Sequence, residues 1–470
     1  MQILDVLLVL GGLVLLIAGG EALVRGASSI ATRIGMSPLI VGLIVVSAAT
    51  SAPELAVTVG SVISGEPGLA VGNVIGSNIV NILLILGLSA LVVPLLIKRQ
   101  LVRFDIPVMV GLSVLLVAVS LDGQIGLLDG VLLLAGLVVH AVLSILIGRR
   151  EVRVGAEGAG TAPIPTHGRP TPVWLSLLLL AVGIGLLVLG SQLLVTGAVS
   201  IATGLGVSSL VVGLTVVAIG TSLPELATSI IAVRRGERDM AVGNIVGSNI
   251  FNIGLVLGLP AIIFGEGIPV PAAAISLDLP VMLATAIALL PIAFTGFIIA
   301  RWEGGLFVAI YVGIALVLAS AYDVFHTLLN PSGRGTISRL IFALSWRATR
   351  RARRLGLAVG PASVVAVIAI WAATQVVGWA LIYTPHIPEG FAYSHDIDPA
   401  DFVAFWEAVY FSGATLTTLG FGDTVPIEPW LRVLAPVEAL AGFALLSASA
   451  TWFLQLHGAL ARRRSLALRV

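Results

Sequence analysis

Hydrophobic residues in this chain fall in long blocks instead of the short periods of half-buried strands and surface helices. Apolar runs lie near 3–19, 38–63, 69–94, 106–121, 126–148, 174–200, 208–233, 241–264, 276–300 and 305–322, with two more near 359–384 and 431–456. Runs of about 20 residues match the hydrocarbon core of a bilayer, where only a helix or a closed barrel satisfies its own backbone. The pattern predicts an all-α polytopic membrane protein. Residues 1–19 lack a basic leader and a cleavage context, so they are expected to stay as the first span.

Polar stretches divide the chain. Arg149–Thr171 holds arginines, prolines and glycines and reads as an aqueous loop, while Pro331–Arg354 carries seven arginines. The expected organisation is a first repeat over 1–148, a cytoplasmic linker over 149–173 and a second repeat over 174–322, then an arginine-rich linker over 323–358 and a last module over 359–470. Lys98, Arg99 and Arg103, then Arg149, Arg150 and Arg153, then Arg234, Arg235 and Arg238, and finally Arg301 fall on one side if the spans alternate. Glu66, Asp122 and Glu266 fall on the other. Positive charge stays in the cytoplasm, which puts the amino terminus outside. Ten spans then leave residue 325 outside, whereas the arginines before 359 belong inside, and 322–346 holds no full span to reconcile the two.

Composition sharpens the class. Of 470 residues 58% are hydrophobic and 10% charged, with mean hydropathy +1.11. A soluble protein carries about 25% charged residues, so a cytosolic enzyme is excluded. The absence of cysteine excludes disulfides and thiolate metal sites. A net charge of +1 gives no reason to expect nucleic acid. The expected surroundings are the lipid bilayer of the plasma (inner) membrane, with inorganic cations as partners.

An internal repeat carries the functional signal. Thr50-Ser51-Ala52-Pro53-Glu54-Leu55-Ala56 recurs as Thr221-Ser222-Leu223-Pro224-Glu225-Leu226-Ala227. Gly72-Asn73-Val74-Ile75-Gly76-Ser77-Asn78-Ile79-Val80-Asn81-Ile82 recurs as Gly243-Asn244-Ile245-Val246-Gly247-Ser248-Asn249-Ile250-Phe251-Asn252-Ile253. Both offsets are 171 (221 − 50 and 248 − 77), and Ser37 and Gly42 match Ser208 and Gly213 in the same register. Five spans separate each element from its copy, so the copies cross the membrane in opposite directions. Inverted repeats build alternating-access transporters, with the substrate site at mid-membrane between them.

Each repeat places a carboxylate inside an apolar span, a cost of about 2.5–3.5 kcal/mol on insertion scales. Neither Glu54 nor Glu225 has a Lys or Arg within its span, but each follows a proline that interrupts the helical ladder and frees carbonyls such as those of Thr50 and Thr221. Ser51 and Ser222 add hydroxyls one turn earlier, and Ser77, Asn81, Ser248 and Asn252 add oxygens from the next span. Hard oxygen donors without His or Cys suit Na⁺ and Ca²⁺. The alternative for the two glutamates is a protonated, hydrogen-bonded carboxyl. Gly72, Gly76, Gly243 and Gly247 read as packing residues, and Asn73 and Asn244 as either support or ligands. Glu21 has Gln192 at its matching place and reads as peripheral, or as part of an ion-access path.

These motifs resemble the α-repeats of the sodium/calcium exchanger family, within the calcium/cation antiporter group, over about residues 1–322. The resemblance implies a ten-helix inverted-repeat core that exchanges several Na⁺ for one Ca²⁺, with no cofactor. By position, it implies Glu54 and Glu225 as shared ligands of Ca²⁺ and Na⁺, and Thr50 and Thr221 as carbonyl donors. Ser51, Ser77, Ser222 and Ser248 would line Na⁺ sites, Asn81 and Asn252 would complete the centre, and the carbonyls of Ser47 and Ala218 would take part. Several family members have Asp where Asn252 stands here. The centre therefore keeps two carboxylates, enough to balance one Ca²⁺ or two Na⁺, which weakens any case for K⁺ co-transport.

The last module holds two spans around Thr415-Leu416-Thr417-Thr418-Leu419-Gly420-Phe421-Gly422-Asp423. This resembles the filter of potassium channels, usually T-V-G-Y-G-D. Alternating glycines let successive carbonyls face one axis and replace the hydration shell of K⁺. Thr418, Leu419, Gly420, Phe421, Gly422 and Asp423 form the expected filter, with 405–411 as its short pore helix. Acidic residues Glu389, Asp396, Asp398 and Asp401 flank it, and the basic ends 347–354 and 462–464 place the filter outside. Gly442 reads as a hinge or as a packing glycine. One filter per chain cannot close a ring of carbonyls, so conduction implies a homotetramer. An exchanger with a fused K⁺ pore is the leading reading. The alternatives are a K⁺ channel with a regulatory or degenerate exchanger half, and a pore module that serves only oligomerisation.

Overall fold

The structure, a computed structural model, describes residues 3–34, 36–158, 172–204, 218–265, 267–294, 296–328, 335, 338–339, 341–342, 359–395, 397–398 and 401–467. Eleven helices among them are long and apolar enough to cross a membrane. They correspond to all the expected spans except 208–233, whose first half lies outside the described residues, as do Ser208, Gly213, Glu266, Asp396 and the arginines of 347–354. The chain is an all-α, multi-pass integral membrane protein.

The chain forms two compact units, one of Met1–Ile201 with Val212–Val308, the other of Ala202–Val211 with Ala309–Val470. In the first unit the helices are α1 (Ile3–Ile34), α2 (Pro38–Ile63), α3 (Pro67–Val92), α4 (Leu101–Val119) and α5 (Leu127–Gly158). Their counterparts are α6 (Val173–Gly204), α7 (Ala218–Thr221 and Leu223–Arg234), α8 (Arg238–Phe264), α9 (Ala274–Phe294) and the start of α10 (Arg301–Leu328). Prolines at first-turn positions start several of them (Pro38, Pro53, Pro67, Pro224), where the missing N–H costs nothing. Ser37 caps α2 by accepting the Ile40 N–H at 3.4 Å.

The helix α5 runs on to Gly158, ten residues into the stretch expected to be loop. Arg and Glu there are good helix formers, and the intrahelical ladder does not require lipid.

Short strands tie the inverted halves together. β1 (Leu95–Leu96) pairs antiparallel with β4 (Ile298–Ile299), and β2 (Gln124–Ile125) with β3 (Ile268–Pro269). The two pairs are repeat-related, since 268 − 95 is 173 and 298 − 124 is 174.

α1 and α6 meet along a seam of glycines seven residues apart. A Cβ on Gly12 would lie 2.6 Å from the Gly190 carbonyl, and one on Gly19 would lie 2.9 Å from that of Gly183. Gly26 meets Ser176 at 2.7 Å, and Gly197 meets Asp5 at 2.6 Å. Gly12, Gly19 and Gly26 are repeat mates of Gly183, Gly190 and Gly197, so the contact is self-complementary. Backbones this close gain dispersion contacts that a bilayer does not otherwise reward.

In the second unit α11 (Val359–Tyr383), the short helix α12 (Ala404–Leu416) and α13 (Pro429–Ala467) surround a core of Trp379, Tyr383, Phe391, Phe411 and Leu431. β5 (Phe391–Tyr393) pairs antiparallel with β6 (Thr424–Pro426). Asp323, late in α10, accepts the Trp371 indole N–H at 2.8 Å and the Ser338 hydroxyl at 2.8 Å, so the described part of the linker folds back onto this unit.

Candidate functional site

Both acid-bearing helices break at the same place. α2 is interrupted at Ser51 (φ −79°, ψ 2°) and α7 at Ser222 (φ −89°, ψ 7°), so Pro53 and Pro224 each sit in the first turn of a new helical segment that carries the glutamate. A first turn with unpaired N–H groups favours a carboxylate there. Glu54 is 1% exposed and Glu225 0%.

The next helix of each repeat widens where it faces them. α3 opens into a π-helical stretch at Val80–Leu86, which contains Asn81, and α8 into another at Asn252–Leu257. Such bulges cost regular hydrogen bonds and recur at functional sites. No residue type in the repeat signals them, which is why periodicity alone misses them.

The centre they enclose is built from oxygen atoms. The side-chain oxygens of Ser51, Ser77 and Ser222, both carboxylate oxygens of Glu54 and of Glu225, and the Oδ1 atoms of Asn81 and Asn252 are buried without a hydrogen bond of ordinary geometry, although the Ser222 hydroxyl stands beside Glu54, and those of Thr50 and Ser248 beside Glu225. A buried polar atom without a partner costs about 1–3 kcal/mol, and a charged one more. Ser51 and Ser222, Glu54 and Glu225, and Asn81 and Asn252 are repeat mates, whereas Ser248, the mate of Ser77, lies 3.4 Å from Thr50 Oγ1. Among the described residues neither glutamate pairs with a cation side chain.

Other residues brace this centre. Thr50 Oγ1 lies 3.4 Å from both Ser248 Oγ and Asn244 Oδ1, bridging the repeats. Ser47 Oγ reaches the Gly42 and Asn244 carbonyls at 2.8 and 2.9 Å, and the Ser47 carbonyl accepts the Ser51 N–H at 2.9 Å. Asn73 donates to the Glu54 carbonyl and to Thr58 Oγ1, each at 3.1 Å, while its mate Asn244 donates to Thr228 and Ser229. Both asparagines thus spend their amide groups on bracing. Ala218 and Thr221 stand in the segment of α7 before the break.

Gly243 and Gly247 pack as expected, a Cβ on them meeting the Leu39 and Leu43 carbonyls at 2.7 and 2.2 Å. No described residue stands within 4 Å of such a Cβ on Gly72 or Gly76. Glu21 is peripheral and part-exposed, paired with Arg25 at 2.7 Å and with Arg235.

Two residues of the same motifs were not singled out from sequence. Asn81 Nδ2 donates to Asn249 Oδ1 at 3.1 Å, and Asn252 Nδ2 donates to Asn78 Oδ1 at 3.0 Å. The four are repeat mates, so one bond is the mirror of the other.

In the second unit the loop after α12 alternates its backbone hand. Thr418, Gly420 and Gly422 have φ of +58°, +55° and +77°, so left-handed residues alternate with Leu419, Phe421 and Asp423. This period of two is what turns successive carbonyls to one side. Leu419 and Phe421 are 64% and 65% exposed. Behind the loop, Tyr410 donates to Asp423 at 2.5 Å and Thr424 donates to Glu407 at 3.0 Å. Glu438 of α13 accepts from Tyr383 at 2.8 Å and from Ser412 at 2.5 Å, joining all three helices. A Cβ on Gly442 would overlap the Leu416 carbonyl, so this glycine packs against the end of α12.

Two inverted halves, each with a broken helix and a buried acid, define the architecture of a membrane ion antiporter. Residues 4–146 and 175–319 match the family model of the sodium/calcium exchanger protein, and residues 368–456 match that of an ion channel. The chain belongs to the sodium/calcium exchanger protein family and carries an ion channel domain at its carboxy-terminal end. It is 40% identical over 287 residues to the inner membrane protein YrbG of Escherichia coli, covering 61% of this chain and 87% of that one. It is 31% identical to the sodium/calcium exchanger MaX1 of Methanosarcina acetivorans, covering 66% of this chain and 97% of that one. A structure of the sodium-calcium exchanger NCX_Mj, soaked with Na⁺ and Sr²⁺, matches with a TM-score of 0.57 at 33% identity, over 67% of this chain and 99% of that one.

Proposed function

We propose that residues 1–322 exchange Na⁺ for Ca²⁺ by alternating access, with the ions bound between Glu54 and Glu225. The observation that carries this reading is the repeat-related set of buried oxygens without hydrogen-bond partners. Dehydrated cations bound in this cage supply the missing partners, and two carboxylates neutralise one Ca²⁺ or two Na⁺. Ser51, Ser222, Ser77, Ser248, Asn81, Asn252 and the carbonyls of Thr50 and Thr221 complete the ligand set, with Ser47 and Ala218 at its margin. Emptying the site of cations leaves two buried negative charges near each other, so the empty protein resists remaining between states.

The module over 359–470 is a K⁺ pore that conducts as a homotetramer. The alternating backbone hand of 418–422 favours this reading over a purely oligomerising role, because a structural turn has no need of three left-handed positions in register. Na⁺/Ca²⁺ exchange moves net charge, and a K⁺ conductance in the same chain dissipates the resulting potential.

Sodium-gradient-driven ⁴⁵Ca²⁺ uptake into proteoliposomes tests the assignment. Uptake disappears in Glu54→Ala and Glu225→Ala and survives Gly420→Ala. A K⁺ current in a wild-type protein that takes up no calcium refutes the exchanger assignment. If the K⁺ conductance relieves the potential, valinomycin restores a rate slowed by a pore variant.

A further inference from the structure

We propose that Asn78 and Asn249 are positioning residues: each accepts an amide N–H from the opposite repeat, and so turns the Oδ1 atoms of Asn252 and Asn81 toward the cation site. The inference rests on the function proposed above and adds residues to its machinery.

An asparagine side chain presents an oxygen on one side and an N–H₂ on the other, and only the oxygen binds a cation. Something must therefore choose which side of Asn81 and Asn252 faces the centre. Both Oδ1 atoms are buried without a hydrogen-bond partner, alongside the orphan oxygens of the glutamates and serines. Both Nδ2 atoms are taken, by Asn249 Oδ1 at 3.1 Å and by Asn78 Oδ1 at 3.0 Å.

The orientation of Asn78 and Asn249 is set in turn by groups that accept only. Asn78 Nδ2 lies 3.4 Å from the Asn249 carbonyl and 3.7 Å from Met282 Sδ, and Asn249 Nδ2 lies 3.5 Å from Met109 Sδ. Neither a carbonyl nor a thioether has a proton to give. Flipping the Asn78 amide would set its oxygen against that carbonyl and its N–H₂ against the N–H₂ of Asn252. Each such clash replaces a bond with a repulsion in a dry environment. The sequence of constraints therefore runs from a thioether, through Asn78 or Asn249, to the oxygen facing the ion. The four residues Asn78, Met109, Asn249 and Met282 line one narrow pocket.

The arrangement also fixes the charge of the centre. An aspartate at 252 has no N–H to give to Asn78, so the amide at 252 and the acceptor at 78 form a matched pair. That keeps the site at two carboxylates.

The test is a thermodynamic cycle on the full-length protein, with Ca²⁺ binding read by calorimetry in detergent and ⁴⁵Ca²⁺ uptake into proteoliposomes read as KM and kcat. Asn78→Ala frees the Asn252 amide to turn, and raises Kd and KM about tenfold with kcat within about twofold of wild type. In an Asn252→Ala background, Asn78→Ala adds no further loss, because it acts only through the residue already removed. Asn249→Ala and Asn81→Ala give the mirror result, which serves if the first pair folds poorly on gel filtration. Additive losses in the two cycles, unchanged KM in the single variants, or failure of both single variants to fold overturns the proposal. A wild-type protein that binds neither Ca²⁺ nor Na⁺ overturns the exchanger reading itself, and the positioning role with it.

Discussion

Glu225→Gln removes one of two buried carboxylates while keeping its shape and one oxygen. Glu225 and Glu54 are both fully buried acids from opposite repeats, and neither meets a cationic side chain among the described residues. At an effective dielectric of about 20, a pair of unit charges ~4 Å apart is worth about 4 kcal/mol, so a divalent ion loses roughly 8 kcal/mol of attraction. The retained amide oxygen and the relief of repulsion with Glu54 return roughly half of this, leaving about 4 kcal/mol, or about a thousandfold in Kd. The variant has a second signature, since removing a like charge favours the empty protein. Without ions it melts at or above the wild-type temperature. At 100 Kd the wild type gains about 2.7 kcal/mol from Ca²⁺, a shift that vanishes in Glu225→Gln at the same concentration. The assay is a thermal melt of purified protein with and without Ca²⁺, beside ⁴⁵Ca²⁺ uptake. A variant whose Ca²⁺-dependent shift and uptake KM stay within about threefold of wild type refutes the reasoning, because the buried carboxylate would then not be a ligand.

Further outcomes follow from other parts of the molecule. Gly19→Leu forces the α1–α6 backbones apart at a 2.9 Å approach and costs about 1–3 kcal/mol or more, read as a lower melting temperature on fluorescence-detected gel filtration. Gly420→Ala puts an L-residue at φ +55°, a cost of about 1–2 kcal/mol, and abolishes the proposed K⁺ flux while ⁴⁵Ca²⁺ uptake persists. Glu438→Leu leaves the buried hydroxyls of Tyr383 and Ser412 without their acceptor, about 1–3 kcal/mol apiece, and lowers the protein's melting temperature without changing Ca²⁺ binding to the exchanger unit.

Much of this molecule was legible before any coordinates. The spans are legible because lipid demands uninterrupted apolar helices, and the inverted repeat because two motifs recur at one offset in opposite orientation. Glu54 and Glu225 stand out because a carboxylate in an apolar run needs a physical excuse. The alternating backbone hand of 418–422 stands out because glycines two residues apart have a backbone meaning.

Other features depend on what lies across a contact. Gly12, Gly19 and Gly26 are plainly spaced in the sequence, yet only their approach to Gly190, Gly183 and Ser176 makes them a seam. Asn78 and Asn249 sit inside the quoted motifs, but their value comes from pairing across the repeats, which no single segment encodes. The π-helical stretches at 80–86 and 252–257 leave no trace in hydrophobic periodicity. The helical extension to Gly158 was missed because polarity marks the end of a membrane span, not the end of a helix.

The central claim is that one ion is shared by two carboxylates brought together from opposite repeats. An anomalous difference map from crystals soaked in Sr²⁺ tests it most directly. The account predicts a peak between Glu54 and Glu225 in direct contact with carboxylate oxygens of both, lost when Na⁺ is in excess. A peak coordinated by only one of the two, or by neither, contradicts it.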